Sequence, residues 1–234
     1  AEDGIRPQPR SRGRGDVYKR QLVDHMGSDL SVVNAARVSF AKTSEWESIP
    51  EAGEVEGCLN YDDERLIKYL AKHNHWSPFG HASLQFHIKA PVFVARQLVK
   101  HQVGLVWNEV SRRYVDDEPE FYIPKSWRKR PEKSIKQGSS DETVEVNVLS
   151  TIDFCKQTYQ NLLNAGVAPE MARMILPQNM YTEWYWSGTL YAFARVCNLR
   201  CKPDAQKETR DVGWGIDRYA RELFPASWKA LRDA

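Results

Sequence analysis

The sequence predicts an α+β fold in which several packed helices surround a small antiparallel sheet. Helical hydrophobic patterns outnumber strand patterns, and they do not alternate with strands in the βαβ order that is typical of a parallel sheet. Residues 83–90 (SLQFHIKA) alternate strictly between apolar and polar side chains, which predicts a strand with one buried face. At 234 residues the chain is long enough to bury one full core.

Two helices are predicted before this strand. Asp29 or Ser31 can cap a short helix that continues to about Arg37. Asn60 or Asp62 can open a second helix, whose apolar residues recur on one face. The acidic and irregular stretch between the two helices is predicted to be a loop.

A helix, a short strand and a loop are predicted after the strand. Pro91 suits the first turn of a helix over 91–101, and Gly104 is a natural stop beyond it. Residues 120–124 (EFYIP) have the composition of a short strand. Residues 125–140 are rich in Lys and Ser and predict a polar loop.

The remainder of the chain is predicted to be helical. Asp141 or Thr143 begins a helix that runs to about Ala165 and is closed by Gly166. Proline breaks the helical pattern at Pro177. The further predicted helices cover about 169–176, 186–199 and 204–223.

Charge and hydropathy exclude some classes of protein. The formal net charge is +2, but residues 1–21 alone hold six Lys or Arg against three acids, so the rest of the chain is close to neutral. A near-neutral folded part gives no argument for nucleic-acid binding, and no window approaches the roughly 18 apolar residues of a membrane span. Residues 1–21 are expected to be a disordered or expression-derived leader, and residues 22–234 a single domain.

The cysteine and histidine patterns do not predict a metal site. Four cysteines are too few for a disulfide framework, so we expect a reducing compartment such as the cytoplasm. Cys197 and Cys201 are expected to be packing thiols. Three histidines within nine residues, His73, His75 and His81, lack zinc spacing and suit hydrogen bonding better.

The sequence KHQVGLVWNEVSRRY (100–114) places many polar groups directly after an apolar helix. Gln97 and His101 lie four apart and share a helix face, with Arg96 and Lys100 on the neighbouring one. Such a set suits an anionic ligand with hydrogen-bonding edges, because Arg pairs with phosphate and amides bind bases; a nucleotide is one such ligand. A solvated loop tied by ion pairs is the alternative.

Seven motifs in order resemble those of the flavin-dependent thymidylate synthases. The resemblance covers about 22–228. The motifs are AARVSF (35–40), SPFGH (77–81), APVFVARQ (90–97), NEVSRRY (108–114), EFYIP (120–124), MARMILPQNMYT (171–182) and NLRCKPDAQKE (198–208). The resemblance implies the fold of the thymidylate synthase-complementing proteins.

It also implies a reaction. A one-carbon unit from methylenetetrahydrofolate passes to carbon 5 of dUMP, with FAD and NADPH as the hydride source, in a homotetramer with active sites between subunits. The unrelated thymidylate synthase uses a cysteine nucleophile, and none of the four cysteines has activating neighbours in the sequence. Flavin chemistry needs no such thiol.

The motifs assign roles to individual residues by resemblance. The catalytic residues are Arg173, Ser111 and Glu109, with Arg173 polarising the uracil ring and Ser111 hydrogen-bonding rather than attacking. The flavin-binding residues are Ser39, His75, Lys100, His101, Gln102 and Glu109. The nucleotide-binding residues are Gln97, Glu109, Ser111, Arg112, Arg113, Arg173 and Arg200. No metal is implied.

The chain departs from the family pattern mostly on the flavin side. The family signature is Arg-His-Arg, seven residues, then Ser, whereas this chain has Lys100-His101-Gln102, eight residues, then Ser111. Thr189 and Asp204 stand where the family has an Asn and a His that help to hold the flavin. We therefore expect a weaker or altered flavin site.

Two alternatives remain open. The altered flavin contacts favour a relative that modifies dUMP differently, such as a pyrimidine hydroxymethylase. The basic leader favours a non-catalytic nucleotide- or RNA-binding protein. The product formed from dUMP distinguishes the first alternative, and removal of the leader distinguishes the second.

Overall fold

The computed structural model describes residues 19–48, 57–132 and 138–234. The helices of these residues are α1 (Asp29–Arg37), α2 (Tyr61–Lys72), α3 (Val92–Leu98), α4 (Leu149–Asn164), α5 (Pro169–Ala172), α6 (Leu190–Arg200), α7 (Lys207–Leu223) and α8 (Pro225–Asp233). The strands are β1 (Lys19–Met26), β2 (Glu47–Ser48), β3 (Gly57–Cys58), β4 (Ser83–Pro91), β5 (Leu105–Glu109), β6 (Trp127–Arg128), β7 (Thr143–Val144) and β8 (Tyr181–Thr189).

A four-stranded antiparallel sheet carries the fold, in the order β1-β4-β8-β5. Leu84, Phe86 and Ile88 of β4 are at most 1% exposed, which confirms the strand predicted from their alternation. Helices pack on the apolar face of the sheet, and α6 is buried among them. The predicted α+β class is therefore confirmed.

Three strands of this sheet were not predicted. In β8 the side chains of Thr182, Trp184 and Trp186 alternate into the core, whereas a helix was expected to start at about residue 186. The helix instead begins at Leu190, where the hydroxyl of Thr189 accepts a hydrogen bond from the third amide of the helix. Strands β1 and β5 show weak alternation and form because β4 and β8 offer them open edges.

The predicted helix boundaries need correction around the middle of the chain. The helix expected from Asp141 begins only at Leu149, because residues 143–144 pair with β6. Residues 120–124 form no strand and contribute a single bridge between Phe121 and Met180.

Other predicted helices are shorter than expected. The 91–101 segment is helical only over α3, and the 204–223 segment starts at Lys207. The 169–176 segment is one α-helical turn followed by a 3₁₀ turn, Arg173–Ile175. Helix α8 was not predicted. Asn60 does cap α2, accepting from the Asp63 amide at 2.8 Å.

The predicted leader overlaps the sheet. Strand β1 begins at Lys19, so residues 19–21 belong to the fold rather than to a leader. Residues 1–18 lie outside the described residues. The acidic segment predicted as a loop contributes the short strands β2 and β3, and residues 49–56 between them are also outside the described part.

The described ranges contain neither a candidate membrane-spanning helix nor a candidate metal site. None of their helices is long and apolar enough to cross a membrane. No group of three or more His, Cys, Asp or Glu side chains in these ranges is placed to hold a metal ion.

Asp29 joins the two ends of the fold. Its buried carboxylate accepts hydrogen bonds from the amides of Ala226 and Ser227, both at 2.8 Å, in the first turn of α8. The cap comes from α1 rather than from the residue preceding α8. A carboxylate at this position satisfies amides that have no partner within the helix and complements the helix dipole.

We expect Asp29→Ala to lower the free energy of unfolding by about 2 kcal/mol, because two charge-assisted hydrogen bonds are lost in a buried setting. Urea unfolding followed by circular dichroism measures the change. The exposed Asp24 serves as the control, and its replacement by Ala is expected to change stability by less than about 0.5 kcal/mol. Equal effects of the two substitutions would contradict the prediction.

Candidate functional site

A cationic cleft lies where the end of α3 meets the start of α7. Its volume is about 590 Å³. The residues that line it are Arg96, Gln97, Lys100, Arg128, Gly138, Ser139, Arg200 and Gln206. Two of these residues, Gln97 and Arg200, were assigned to the nucleotide from the sequence, and Lys100 was assigned to the flavin. We refer to this group as the cationic cleft.

Gln97 is held by the start of α7. Its amide nitrogen donates to the side-chain oxygen of Gln206, and its amide oxygen accepts from the hydroxyl of Thr209 at 3.1 Å. Thr209 is fully buried, so this donor is fixed by packing. The carboxamide of Gln97 therefore faces the cleft in one orientation.

His101 and Arg200 form a second contact in this region. Nε of Arg200 donates to Nε2 of His101 at 2.9 Å, so this imidazole nitrogen must be unprotonated. Burial, and then the charges of Arg200 and Arg195, lower the pKa of His101 to about 4. A neutral histidine thus orients the guanidinium without adding charge of its own.

The pKa of His101 predicts a pH-dependent stability. The unfolded chain takes up a proton on this histidine as the pH falls below about 6.5, whereas the folded protein resists until about 4. The neutral form of His101 therefore stabilises the folded protein fully above about pH 6.5, and this stabilisation is lost as the pH falls from about 6.5 to about 4. We expect a loss of about 1 kcal/mol after allowance for solvent screening, since the site is only half-buried.

Urea unfolding at pH 7.5 and pH 5 measures this effect in the wild type and in His101→Gln. The variant should lose less stability between the two pH values than the wild type does. An identical pH dependence in both proteins would show that His101 is not responsible.

Arg128 brings the β6–β7 hairpin to the cleft. Its terminal nitrogen bonds both carboxylate oxygens of Glu208, at 2.7 and 2.8 Å, and its Nε donates to Ser139 at 2.6 Å. Gly138 has φ +95°, and a side chain there would press on the carbonyl of Asp204. The hairpin can approach α7 closely because this position is a glycine.

A second cleft, of about 700 Å³, lies at the end of β5; we call it the Glu109 cleft. It holds Glu109, Arg112 and Arg173, and it shares Arg96 with the cationic cleft. The carboxylate of Glu109 accepts from the hydroxyl of Thr182 at 2.8 Å and from the indole nitrogen of Trp107 at 3.1 Å. The position of Glu109 is therefore fixed by neighbouring strand residues.

Two arginines of this region contact Glu170, a residue that the sequence did not single out. Nε of Arg113 lies 3.7 Å from the carboxylate of Glu170, and Nε of Arg173 donates to the backbone oxygen of Glu170 at 3.2 Å. The hydroxyl of Ser111 accepts from the Arg113 amide at 3.3 Å, as in a local turn. This geometry gives Ser111 a local structural hydrogen bond; its role towards the nucleotide stays a prediction.

A third cleft, of about 900 Å³, contains two more of the residues assigned to the flavin, Ser39 and His75. Phe40, Tyr69 and Trp76 also line it, and their side chains are 77%, 53% and 59% exposed. We call it the aromatic cleft. Lys100 does not line it, so one chain does not bring the predicted flavin set together.

The predicted site residues thus lie in three clefts, apart from four that line none of them: His101, Gln102, Ser111 and Arg113. The residues of this region that sequence reasoning missed are Arg128, Ser139, Gln206 and Glu170. Gln206 lies within a motif that was recognised, but Arg128 lies in a polar loop whose sequence gives no pattern. Thr189, one of the departures from the family pattern, is committed to capping α6.

Comparisons with known proteins agree with these features. Residues 21–226 match the sequence model of a family described as thymidylate synthase complementing protein. A flavin-dependent thymidylate synthase of Thermus thermophilus is 38% identical over 218 residues, which are 91% of this chain and 75% of that protein. One from Kosmotoga olearia is 38% identical over 219 residues, covering 90% and 88%.

A solved structure shares the fold. It is that of a UMP/dUMP methylase, PolB from Streptomyces cacaoi, bound with 5-Br dUMP. The TM-score is 0.74 at 29% identity, and the match covers 92% of this chain and 95% of the other.

Proposed function

Because this chain belongs to the flavin-dependent thymidylate synthase family, we propose that it methylates dUMP reductively to dTMP. Methylenetetrahydrofolate is the proposed one-carbon donor, and FAD with NADPH is the proposed hydride source. Two observations support the proposal: the activity named for the relatives, and the residues that line the cationic cleft.

The observation that carries the proposal is the pairing of cations with an oriented amide in that cleft. Arg96, Lys100, Arg128 and Arg200 line it together with Gln97. Guanidinium groups bind phosphate through paired hydrogen bonds, and a fixed carboxamide can bind a base edge. Nε of Arg200 donates to His101, and its terminal nitrogens have no hydrogen-bond partner among residues 19–48, 57–132 and 138–234, which leaves them for a ligand. A nucleoside monophosphate supplies both kinds of partner.

Arg173 is the proposed electrostatic catalyst. Its side chain is exposed in the Glu109 cleft, tethered only through Nε to the Glu170 backbone among the described residues. Negative charge builds on the uracil ring as carbon 5 becomes nucleophilic, and a guanidinium aimed at the ring stabilises that charge. Glu109, held by Thr182 and Trp107, is the proposed contact between nucleotide and flavin.

The residues assigned to the flavin fit such a cofactor in their chemistry. Ser39 and His75 offer hydrogen-bonding groups beside exposed aromatic rings, on which a flat ring can stack. Lys100 offers a cation, and Gln102 an exposed amide. FAD, when bound, supplies the hydride that completes the methyl group.

We also propose a homotetramer. The flavin residues are spread over the three clefts of one chain, and the exposed Val38, Phe40 and Trp76 border the aromatic cleft. A second copy could cover these apolar groups and complete the site. Sedimentation velocity tests this proposal, and a monomer at micromolar concentration would contradict it.

The decisive experiment follows the products of the purified protein. It is incubated with dUMP, methylenetetrahydrofolate, NADPH and FAD, and the nucleotides are identified by mass spectrometry. The proposal expects dTMP, a yellow protein, and FAD released on denaturation. Failure to bind FAD under reconstitution, or absence of dTMP, would overturn it. UMP is assayed in parallel, because the structural relative is described as a UMP/dUMP methylase.

The same experiment distinguishes the alternatives. Lys100 and Gln102 stand where the family has arginines, which favours an altered flavin step; a hydroxymethyl product would indicate that outcome. A nucleic-acid-binding function based on the leader would instead be lost on removal of residues 1–18. The proposed enzyme should retain its turnover after that truncation.

A further inference from the structure

A loop of residues 38–44 forms part of the aromatic cleft. Ser39, Phe40 and Lys42 line the cleft from this loop. Phe40 is 77% exposed, and the 3₁₀ turn that begins the loop, Val38–Phe40, buries none of its residues. Because the loop is not packed into the core, its shape must depend on polar contacts.

The backbone of the loop includes an unfavourable conformation. Ala41 has a φ of +52°, in the left-handed region that residues with a side chain rarely occupy. The amide of Ala41 donates to the carbonyl of Val38 at 3.0 Å, and the amide of Lys42 donates to the carbonyl of Arg37 at 3.3 Å. A turn of this kind persists where contacts outside it hold its two ends.

One buried carboxylate contacts both ends of the loop. Asp63 lies in the first turn of α2 and is 0% exposed. Its Oδ1 accepts from Nε of Arg37 at 2.8 Å, from a terminal nitrogen of the same arginine, and from the hydroxyl of Ser44 at 3.0 Å. Its Oδ2 has no hydrogen-bond partner within the described ranges. The carboxylate is thus bonded there only to the residue that precedes the loop and to the residue that ends it.

Asn34 holds the far end of the loop from α1. Its side-chain nitrogen donates to the carbonyl of Ser44 at 3.0 Å, and its side-chain oxygen accepts from the amide of Ser44 at 2.7 Å. Both backbone groups of Ser44 are therefore bonded to one side chain. Since a backbone group cannot be removed by substitution, Asn34 is the residue through which this contact can be tested.

We propose that Asp63 and Asn34 are positioning residues that hold the 38–44 loop in the shape that binds the flavin. The proposal rests on the proposed function, because it takes FAD to be the ligand of the aromatic cleft. Neither residue lines that cleft; they act through Arg37 and Ser44 at the ends of the loop. A loop that is held before binding does not have to be ordered by the ligand, so the affinity for FAD is higher.

A purely structural role for the two residues makes a different prediction. If their contacts only stabilise the fold, their loss lowers the midpoint of thermal unfolding and leaves the affinity of the folded protein for FAD unchanged. If they position the loop, the affinity for FAD falls. The affinity for dUMP should not fall with it, because none of the residues proposed to bind the nucleotide lines the aromatic cleft.

The test uses three variants of the full chain. Asn34→Ala removes both hydrogen bonds to the backbone of Ser44 and places a good helix former in α1. Ser44→Ala removes the hydroxyl that donates to Asp63, and Asp63→Asn removes the charge that pairs with the arginine. Asp62→Asn is the matched control, because its side chain is 77% exposed in the same turn of α2.

Three measurements are made on each protein, and thermal unfolding is recorded alongside them. Titration followed by flavin fluorescence gives the dissociation constant for FAD. Calorimetry at saturating FAD gives the dissociation constant for dUMP. Hydrogen exchange measured by mass spectrometry, in the absence of FAD, reports on the opening of the 38–44 loop.

We expect Asn34→Ala and Asp63→Asn to raise the dissociation constant for FAD at least about tenfold, since the first removes two hydrogen bonds and the second an ion pair. Ser44→Ala removes one hydrogen bond and should raise it about fivefold. Exchange of the 38–44 amides should be faster in all three variants. The dissociation constant for dUMP should be unchanged, and the control should match the wild type.

Two results would overturn the proposal: folded variants that bind FAD as tightly as the wild type, or variants that lose affinity for dUMP and FAD equally. Should Asp63→Asn fail to fold, Asn34→Ala decides the matter. The proposed function is judged separately. A wild type that binds FAD but forms no dTMP overturns the function, and the variants still test the positioning role; a wild type that binds no FAD overturns both.

Discussion

Replacing Arg173 by methionine is expected to lower kcat/KM for dUMP by about 10²–10³-fold, which is the usual effect of removing one group that stabilises developing charge. Methionine keeps much of the apolar stem and removes the guanidinium. The fold should tolerate the change, because the side chain is exposed and its one hydrogen bond within the described residues goes to a backbone oxygen one turn away. Steady-state kinetics of dTMP formation measures the loss.

The expected pattern of rate constants is specific. If Arg173 stabilises charge on the ring only during the reaction, kcat and kcat/KM fall together. A rise in KM with kcat unchanged would mean that Arg173 merely binds the nucleotide. Arg65→Met is the control, since Arg65 is 66% exposed on α2 and lines none of the three clefts.

Replacing Asp217 by alanine is expected to lower the free energy of unfolding by about 3–5 kcal/mol, because it leaves buried partners unpaired. The carboxylate is 4% exposed and accepts from Arg221 at 2.7 Å, from Arg232 at 2.9 Å and from the indole nitrogen of Trp228 at 3.0 Å. Trp228 is fully buried, so its N–H would lose its partner inside the core.

Chemical denaturation followed by tryptophan fluorescence and circular dichroism checks this value. Asp153→Ala, at an exposed position on α4, is the control and should change stability by less than about 0.5 kcal/mol. If Asp217→Ala lowers the free energy of unfolding by less than about 1 kcal/mol, water or neighbouring residues must replace the hydrogen bonds of the carboxylate, and the prediction is wrong.

Local patterns predicted those elements of the fold that local chemistry determines. The alternation of SLQFHIKA and the cap at Asn60 both depend on residues close in sequence, and both predictions are confirmed. Strand β5 could not be found in this way. It pairs Leu105 with Gly188, and it is not favoured before β8 is in place.

The same limit applies to the site. Helix spacing put Gln97 and Lys100 in one region, and both line one cleft although the helix ends at Leu98; the motifs supplied Arg200. The pair of Arg128 and Glu208 is separated by 80 residues, and only the folded chain brings the two together. Motifs also gave one flavin set, whereas the structure distributes its members over all three clefts of the chain. A sequence motif carries no information about which copy of the chain completes a site.

Strand β5 has a consequence for the length of the segment between Gln102 and Ser111. Five of its eight residues form the strand, in which Trp107 stacks on Trp184 at 4.4 Å while its neighbours Val106 and Asn108 are exposed. Side chains alternate with a period of two, so deleting one residue would send Trp107 to the solvent side and its neighbour inward. A change of two residues in the length of this segment would therefore keep the same side chains on the buried face, whereas a change of one residue requires a compensating bulge or turn. Segments of seven and of eight residues between this motif and the serine are thus two different local structures.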